Sequence, residues 1–208
     1  MNTSETSLAT VIRERRSVRK YDPTVKISQE EILDILKEAA LAPSSSNLQP
    51  WKFLVIQDEE TKKELRMIAN NQEQVETASA VIAVLGDREM YHNGEKVYRS
   101  SYEAGYMDET IMNRMIENTN KLYSSAPVGI RENIASFDAG LVSMQLMLIA
   151  KARGYDTVPM GGFNKQQFIE KFNIDVRYMP VLLLALGKAA QPGHPTTRIP
   201  VEEIVEFI

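Results

Sequence analysis

Two six-residue runs, Ala80-Val81-Ile82-Ala83-Val84-Leu85 and Val181-Leu182-Leu183-Leu184-Ala185-Leu186, are apolar at every position. A strand with one wet face alternates in polarity. A run without alternation is buried on both faces and needs helices above and below it. A third segment, 51–57, alternates around Phe53-Leu54-Val55-Ile56 and reads as another buried strand. These runs are far too short to cross a bilayer. The chain is therefore predicted to fold as layered α+β, a central sheet flanked by helices.

The remaining periodicity supplies the helices. Residues 6–15 read as a short helix. Ser28-Gln29-Glu30-Glu31 is a capping box, and Ile32, Leu33, Ile35, Leu36, Ala39 and Ala40 follow at helical spacing until Pro43 ends the run. Further helices are predicted over 59–69 and 164–172. Ser125 and Pro127 open a long helix whose buried stripe is read as Ile134, Phe137, Leu141, Met144 and Leu148, with Lys151, Arg153 and Gly154 at its end. Between strand and long helix lies a Tyr- and Met-rich segment, 87–125. Its Tyr98, Tyr102 and Tyr106 share one helix face, either against the core or open to stack on an aromatic ligand. The 208 residues suit a single domain.

Several function classes fall away. With 24 basic against 28 acidic residues the net charge is −4, so nothing global attracts nucleic acid or an anionic membrane. There is no cysteine, hence no disulfide, no thiolate metal site and no thiol nucleophile. Two histidines, His92 and His194, make neither a hydrolase triad nor a zinc site. Phosphate-loop, dinucleotide-fingerprint and nucleophile-elbow motifs are missing. Residues 1–10 are polar and carry no export signal, so the Asn2-Thr3-Ser4 sequon is a chance match and the expected location is cytoplasmic.

Four clusters remain. Arg15-Arg16-Ser17-Val18-Arg19-Lys20-Tyr21 concentrates cations in an acidic chain; it reads as an anion holder or as a solvated basic helix end. Ala42-Pro43-Ser44-Ser45-Ser46-Asn47-Leu48-Gln49-Pro50-Trp51 is a hydroxyl- and amide-rich loop, for turn chemistry or for a polar ligand. Val158-Pro159-Met160-Gly161-Gly162-Phe163-Asn164 allows close backbone approach before a helix, or is a plain loop. Arg198 stands before Pro200 in a tail that ends in Ile204, Val205, Phe207 and Ile208. A tail that apolar should dock on its own core or on a partner.

Taken together and in this order, the clusters resemble the nitroreductase family of flavin enzymes, from residue 11 to the tail. The resemblance implies an intertwined α+β homodimer with a central mixed sheet, an exchanged C-terminal tail, and FMN bound noncovalently at the dimer interface. By matching positions, Arg15, Arg16 and Ser17 would hold the FMN phosphate and ribityl chain, and Arg19 the pyrimidine edge, where a cation raises the flavin potential. Pro43, Ser44, Ser45 and Asn47 would come from the other subunit. Asn71 and Gln74 would approach the pyrimidine ring. Pro159, Met160, Gly161 and Gly162 would flank the isoalloxazine, with a backbone N–H near Gly161 on N5, and Arg198 would close on the phosphate. The implied activity is ping-pong oxidation of NAD(P)H with reduction of nitroaromatics or quinones, and the flavin, not a side-chain acid or base, carries it. Ene reductases, dehalogenating enzymes and flavin-fragmenting enzymes share the fold, and a non-catalytic FMN carrier is the alternative outside it. Several family members carry Glu where Gly161 stands and Lys where Gln74 stands. Segment 87–125, the implied lid, is where members differ most.

Overall fold

The computed structural model describes residues 7–208. The sequon at Asn2 and the start of the first predicted helix at Thr6 lie outside the described residues. Helix α1 spans Leu8–Glu14, with Ser7 accepting from the Thr10 amide. Helix α2 spans Gln29–Ala39 and starts as the capping box predicts, Ser28 Oγ accepting from the Glu31 amide at 3.1 Å. Strand β1, Trp51–Ile56, is followed by α3, Glu59–Ile68, capped by Asp58, and by the short α4, Glu73–Thr77. The buried Lys62 of α3 reaches the end of α4 and donates to Ala78 O at 2.5 Å; burial pushes its pKa down. Strand β2 is Ala80–Asp87, buried along its whole length.

Segment 87–125 is helical. It holds α5, Gly94–Glu103, and α6, Glu109–Ser124, packed on each other. Helix α7, Val128–Ala152, turns at Gly154 (φ +81°) into β3, Asp156–Met160. Helix α8, Lys165–Phe172, is capped by Asn164, and β4 is Tyr178–Gly187.

The strands form one sheet in the order β1-β2-β4-β3. The two fully apolar runs are its central strands. Ala80, Ile82, Val84, Leu184 and Leu186 meet α2 and α7 on one face; Val81, Ala83, Leu85, Leu183 and Ala185 meet Leu65, Val75 and Phe168 on the other. The sheet is antiparallel at every strand pair, where a mixed sheet is predicted; parallel pairing is confined to the bridge between Ser17 and Thr157. Register slips between Val84 and Leu85, opposite Leu182 and Pro180, so Val181 is an extra residue. Pro180, which cannot donate to a ladder, sits at that bulge. Strand β3 is not foreseen, because Pro159 and two glycines read as a loop. An edge strand tolerates proline, and β3 is an edge.

The predicted stripe of α7 is the wrong one. Ala135, Asp138, Ala139, Val142, Leu146 and Ala150 are buried, whereas Ile134, Leu141 and Leu148 are half-buried and Phe137 is 66% exposed. The helix is apolar nearly all round, and its small residues let it lie close to the sheet, so the bulky residues face away. By length and composition α7 could cross a membrane, but one of its faces packs on the sheet. Ala139→Leu on the buried face should cost about 1–3 kcal/mol by overpacking. A urea unfolding midpoint equal to that of the parent chain would contradict this packing.

Candidate functional site

After α1 the chain runs along β3. The Val18 amide donates to Thr157 O at 3.1 Å, and Tyr21 pairs with Ala189 and donates its hydroxyl to Ala185 O at 3.2 Å. Burial above all, then Asp156, drives the Tyr21 phenol far above its usual pKa, so it serves as a neutral brace. This anchoring displays the basic cluster at the β3 edge. Lys20 is neutralised by Glu73. Among the described residues no carboxylate pairs with Arg15, Arg16 or Arg19; Arg16 donates only to the carbonyls of Arg13 and Arg15, at 2.6 and 2.8 Å. Three guanidinium groups with no carboxylate partner among the described residues have the chemistry to hold an anion. Beside them the Thr157 hydroxyl is buried without a partner.

The turn after β3 is held from below. Gly162 O accepts from Asn70 Nδ2 at 2.9 Å and from Gln72 Nε2 at 3.0 Å, and the Asn164 amide donates to Ile68 O. Gln74 is buried, with Nε2 3.4 Å from Met160 Sδ. Gln74 thus lies against the end of β3. Asn71 differs, because its side-chain oxygen accepts from Arg66 Nε at 2.8 Å. Asn70 and Gln72, which position the turn, are missed by sequence reading. The available signal is the Asn-Asn pair after α3, both left-handed (φ +55° and +56°). A Cβ at Gly161 would meet nothing within 4 Å. The chain's own packing does not demand glycine there, and the space stays open over the turn.

The hydroxyl-rich loop is built separately. Ser46, Asn47 and Gln49 are all left-handed, at φ +51°, +55° and +50°. Such backbone persists only where its surroundings over-determine it. Here Asp138 of α7 accepts from the Ser45 amide (2.9 Å) and hydroxyl (3.2 Å). From segment 87–125, Tyr98 donates to Ser46 O at 2.8 Å, Tyr123 shares a hydrogen bond with the Ser46 hydroxyl at 2.9 Å, and Asn93 donates to Leu48 O at 3.0 Å. Leu48 is buried against Met90 and Tyr123. Ser44 Oγ accepts from the Gln49 amide. The Ser44 and Ser45 hydroxyls thus serve the loop itself, and the exposed groups are Pro43, Ser46 and Asn47. Of the predicted tyrosine face, Tyr98 is core, while Tyr102 and Tyr106 are 41% and 83% exposed, Tyr106 beyond the end of α5.

The two clusters do not meet within one chain. The loop leads into β1 and the arginines lie along β3, the opposite edges of a four-stranded sheet, three strand spacings or about 14 Å across. Among the described residues no hydrogen bond joins them. Arg198 also stands apart: it bonds only Thr196 and Thr197 of its own tail.

Residues 12–188 match the profile of the Nitroreductase family. The chain belongs to this family. YdgI of Bacillus subtilis (strain 168), assigned as an NAD(P)H nitroreductase, is 46% identical over 199 residues, 95% of each chain. A crystal structure from Exiguobacterium sibiricum 255-15, assigned as a nitroreductase in complex with FMN, superposes with a TM-score of 0.94 at 45% identity, covering all of both chains. The CLA biosynthesis enone reductase of Lactiplantibacillus plantarum is 34% identical over 210 residues, covering the whole chain and 97% of that protein. The nitroreductase fold inferred from motif order is thereby confirmed.

In this member of the family Asp138 links the long helix to the strained loop. Burial raises its pKa, opposed by the two Ser45 donors. The folded chain then keeps a proton that the unfolded chain has released. The stability owed to this group therefore falls as pH rises from the ordinary value of 3.8 through the raised one. Asp138→Asn should flatten that part of the urea-midpoint profile; a profile parallel to the parent's would refute the assignment.

Proposed function

We propose that this chain is an FMN-dependent oxidoreductase, taking two electrons from NAD(P)H and passing them to nitroaromatic, quinone or related acceptors, each substrate using one pocket in turn. The observation that carries this reading is the set of three arginines, none paired with a carboxylate among the described residues, beside an open glycine turn. Arg15, Arg16 and Ser17 would hold a phosphate. Arg19 would sit toward the flavin's electron-rich edge, and Pro159–Gly162 would line the ring. The buried, partnerless Thr157 hydroxyl and the empty space over Gly161 fit a polar group and a flat ring bound there. Bound FMN supplies the hydride chemistry, so no side-chain acid or base is required. A donor of this kind is met in the cytoplasm, where we place the protein.

The working unit is a homodimer, in which Pro43, Ser44, Ser45 and Asn47 of one chain complete the site on its partner. Three features support the pairing. The outer face of α7 exposes Val128, Ile130, Phe137 and Met144. The tail exposes Ile199, Val201, Ile204, Val205, Phe207 and Ile208. Strand β1 is hydrogen-bonded on one side only, beside an apolar groove of about 290 Å³ lined by Ile32, Leu33, Leu36 and Val55. An apolar tail and an apolar groove on one chain suit exchange between two copies, which would also carry Arg198 onto the partner's phosphate. Segment 87–125 acts as the lid. The full-length likeness to an enone reductase favours a second reading of the acceptor, an activated alkene.

Arg15→Ala should weaken FMN retention by about tenfold or more, the loss of a charge-assisted contact to phosphate. Flavin retained unchanged through ultrafiltration would remove the phosphate assignment. Deleting residues 199–208 should shift the chain toward monomer in sedimentation velocity, and an undiminished dimer would exclude the exchanged tail. The reading as a whole is tested by the purified protein's visible spectrum under anaerobic NADH or NADPH. Flavin bands that bleach and return with an added nitroaromatic support it; a protein that takes up no FMN overturns it.

A further inference from the structure

Between the lid and the strained loop lies a cleft of about 460 Å³, within the ~300–1,000 Å³ range of small-molecule pockets. Asn47, Gln49 and Trp51 form one wall. Asn93, Lys96 and Tyr106 form the other, with Val97 and Ser100 of α5. The loop wall is preformed, because Tyr98, Tyr123, Asn93 and Asp138 pin it from behind. The Trp51 and Tyr106 rings offer apolar surface, and the Asn47, Gln49 and Asn93 amides offer donors and acceptors.

Lys96 is the only charged residue lining this cleft. Its neighbours on α5, Glu95 and Arg99, pair with each other at 3.0 Å, whereas Lys96 has neither an ion pair nor a hydrogen bond among the described residues. An ammonium group facing a mixed aromatic and amide cleft, with no carboxylate to neutralise it, is complementary to an anion carried on a flat apolar body. We propose that this cleft is the acceptor subsite and that Lys96 makes it selective for acceptors bearing a carboxylate. The proposal rests on the oxidoreductase reading, since it names the class of acceptor. The same cation could meet a phosphate of the dinucleotide donor, and the test separates the two sources.

Trp51 is the only tryptophan in the chain and lines the cleft, so its fluorescence reports binding without any turnover. Lys96→Ala sits on an exposed helical position, where alanine is the best helix former, so the variant folds. With the holoenzyme, quenching of Trp51 by 4-nitrobenzoate should weaken about fivefold in Lys96→Ala and recover in Lys96→Arg, and the parent's affinity should fall with added salt. In turnover, the ratio of kcat/KM for 4-nitrobenzoate to that for nitrobenzene should fall by about the same factor. Equal changes for both acceptors, or no change in quenching, overturn the proposal. A rise in the KM for the donor with acceptor selectivity unchanged also overturns it, assigning Lys96 to the pyrophosphate where NADH and NADPH are both affected and to the 2′-phosphate where NADPH alone is. Failure of both NADH and NADPH to bleach the flavin would overturn the oxidoreductase reading, while Trp51 quenching would still decide whether Lys96 recognises the anion.

Discussion

The sheet's two central strands are sealed on both faces, and this constraint governs the rest of the molecule. Because β2 and β4 must be covered by helices above and below, everything able to meet a ligand is pushed to the edges. One edge, β3, carries the arginines and the glycine turn. The other, β1, is entered through the hydroxyl-rich loop. Two halves of one candidate site are held apart by strands that cannot be rearranged without opening the core. A second copy of the chain is the simplest way to join them, and the unpartnered face of α7 and the apolar tail point to the same solution.

Rigidity is distributed to match. The loop ahead of β1 stores strain at three left-handed residues and is clamped by one buried carboxylate and two tyrosines. Both tyrosines, with Asn93, belong to segment 87–125, so that segment and the loop are hydrogen-bonded to each other. The start of segment 87–125 is fixed by Arg177, whose guanidinium grips Asp87 at 2.6 and 2.7 Å and reaches Asn93 at 3.2 Å. The turn beyond α5, with Tyr106 exposed, lies outside this clamp.

Much of this was legible in the residues. The unbroken apolar runs announced central strands, and the order of the Arg-Arg-Ser, Pro-Ser-Ser-x-Asn and Gly-Gly segments pointed to the family. What escaped had physical causes. Strand β3 was hidden because Pro159 argues against a regular central strand but is harmless at an edge. The stripe of α7 was misassigned because a helix apolar on all sides carries no phase information; only packing decides that Ala139 and not Phe137 meets the sheet. The role of Asp138 was invisible, because nothing local marks a carboxylate in an apolar helix as the anchor of a loop 93 residues away. Asn70 and Gln72 escaped for the same reason: their partner, Gly162, is distant in sequence.

The central claim, that each site is assembled from two chains, is tested most directly by mixing defects. One chain would carry Arg15→Glu, spoiling the phosphate end, and another Asn47→Trp, blocking the loop side. Each alone should purify without flavin. Co-expressed and isolated as a mixed dimer, they should bind one FMN per two chains, because one site then combines an intact arginine cluster with an intact loop. A mixed dimer as colourless as its parents would show that both halves serve the same chain, and would contradict the two-chain site.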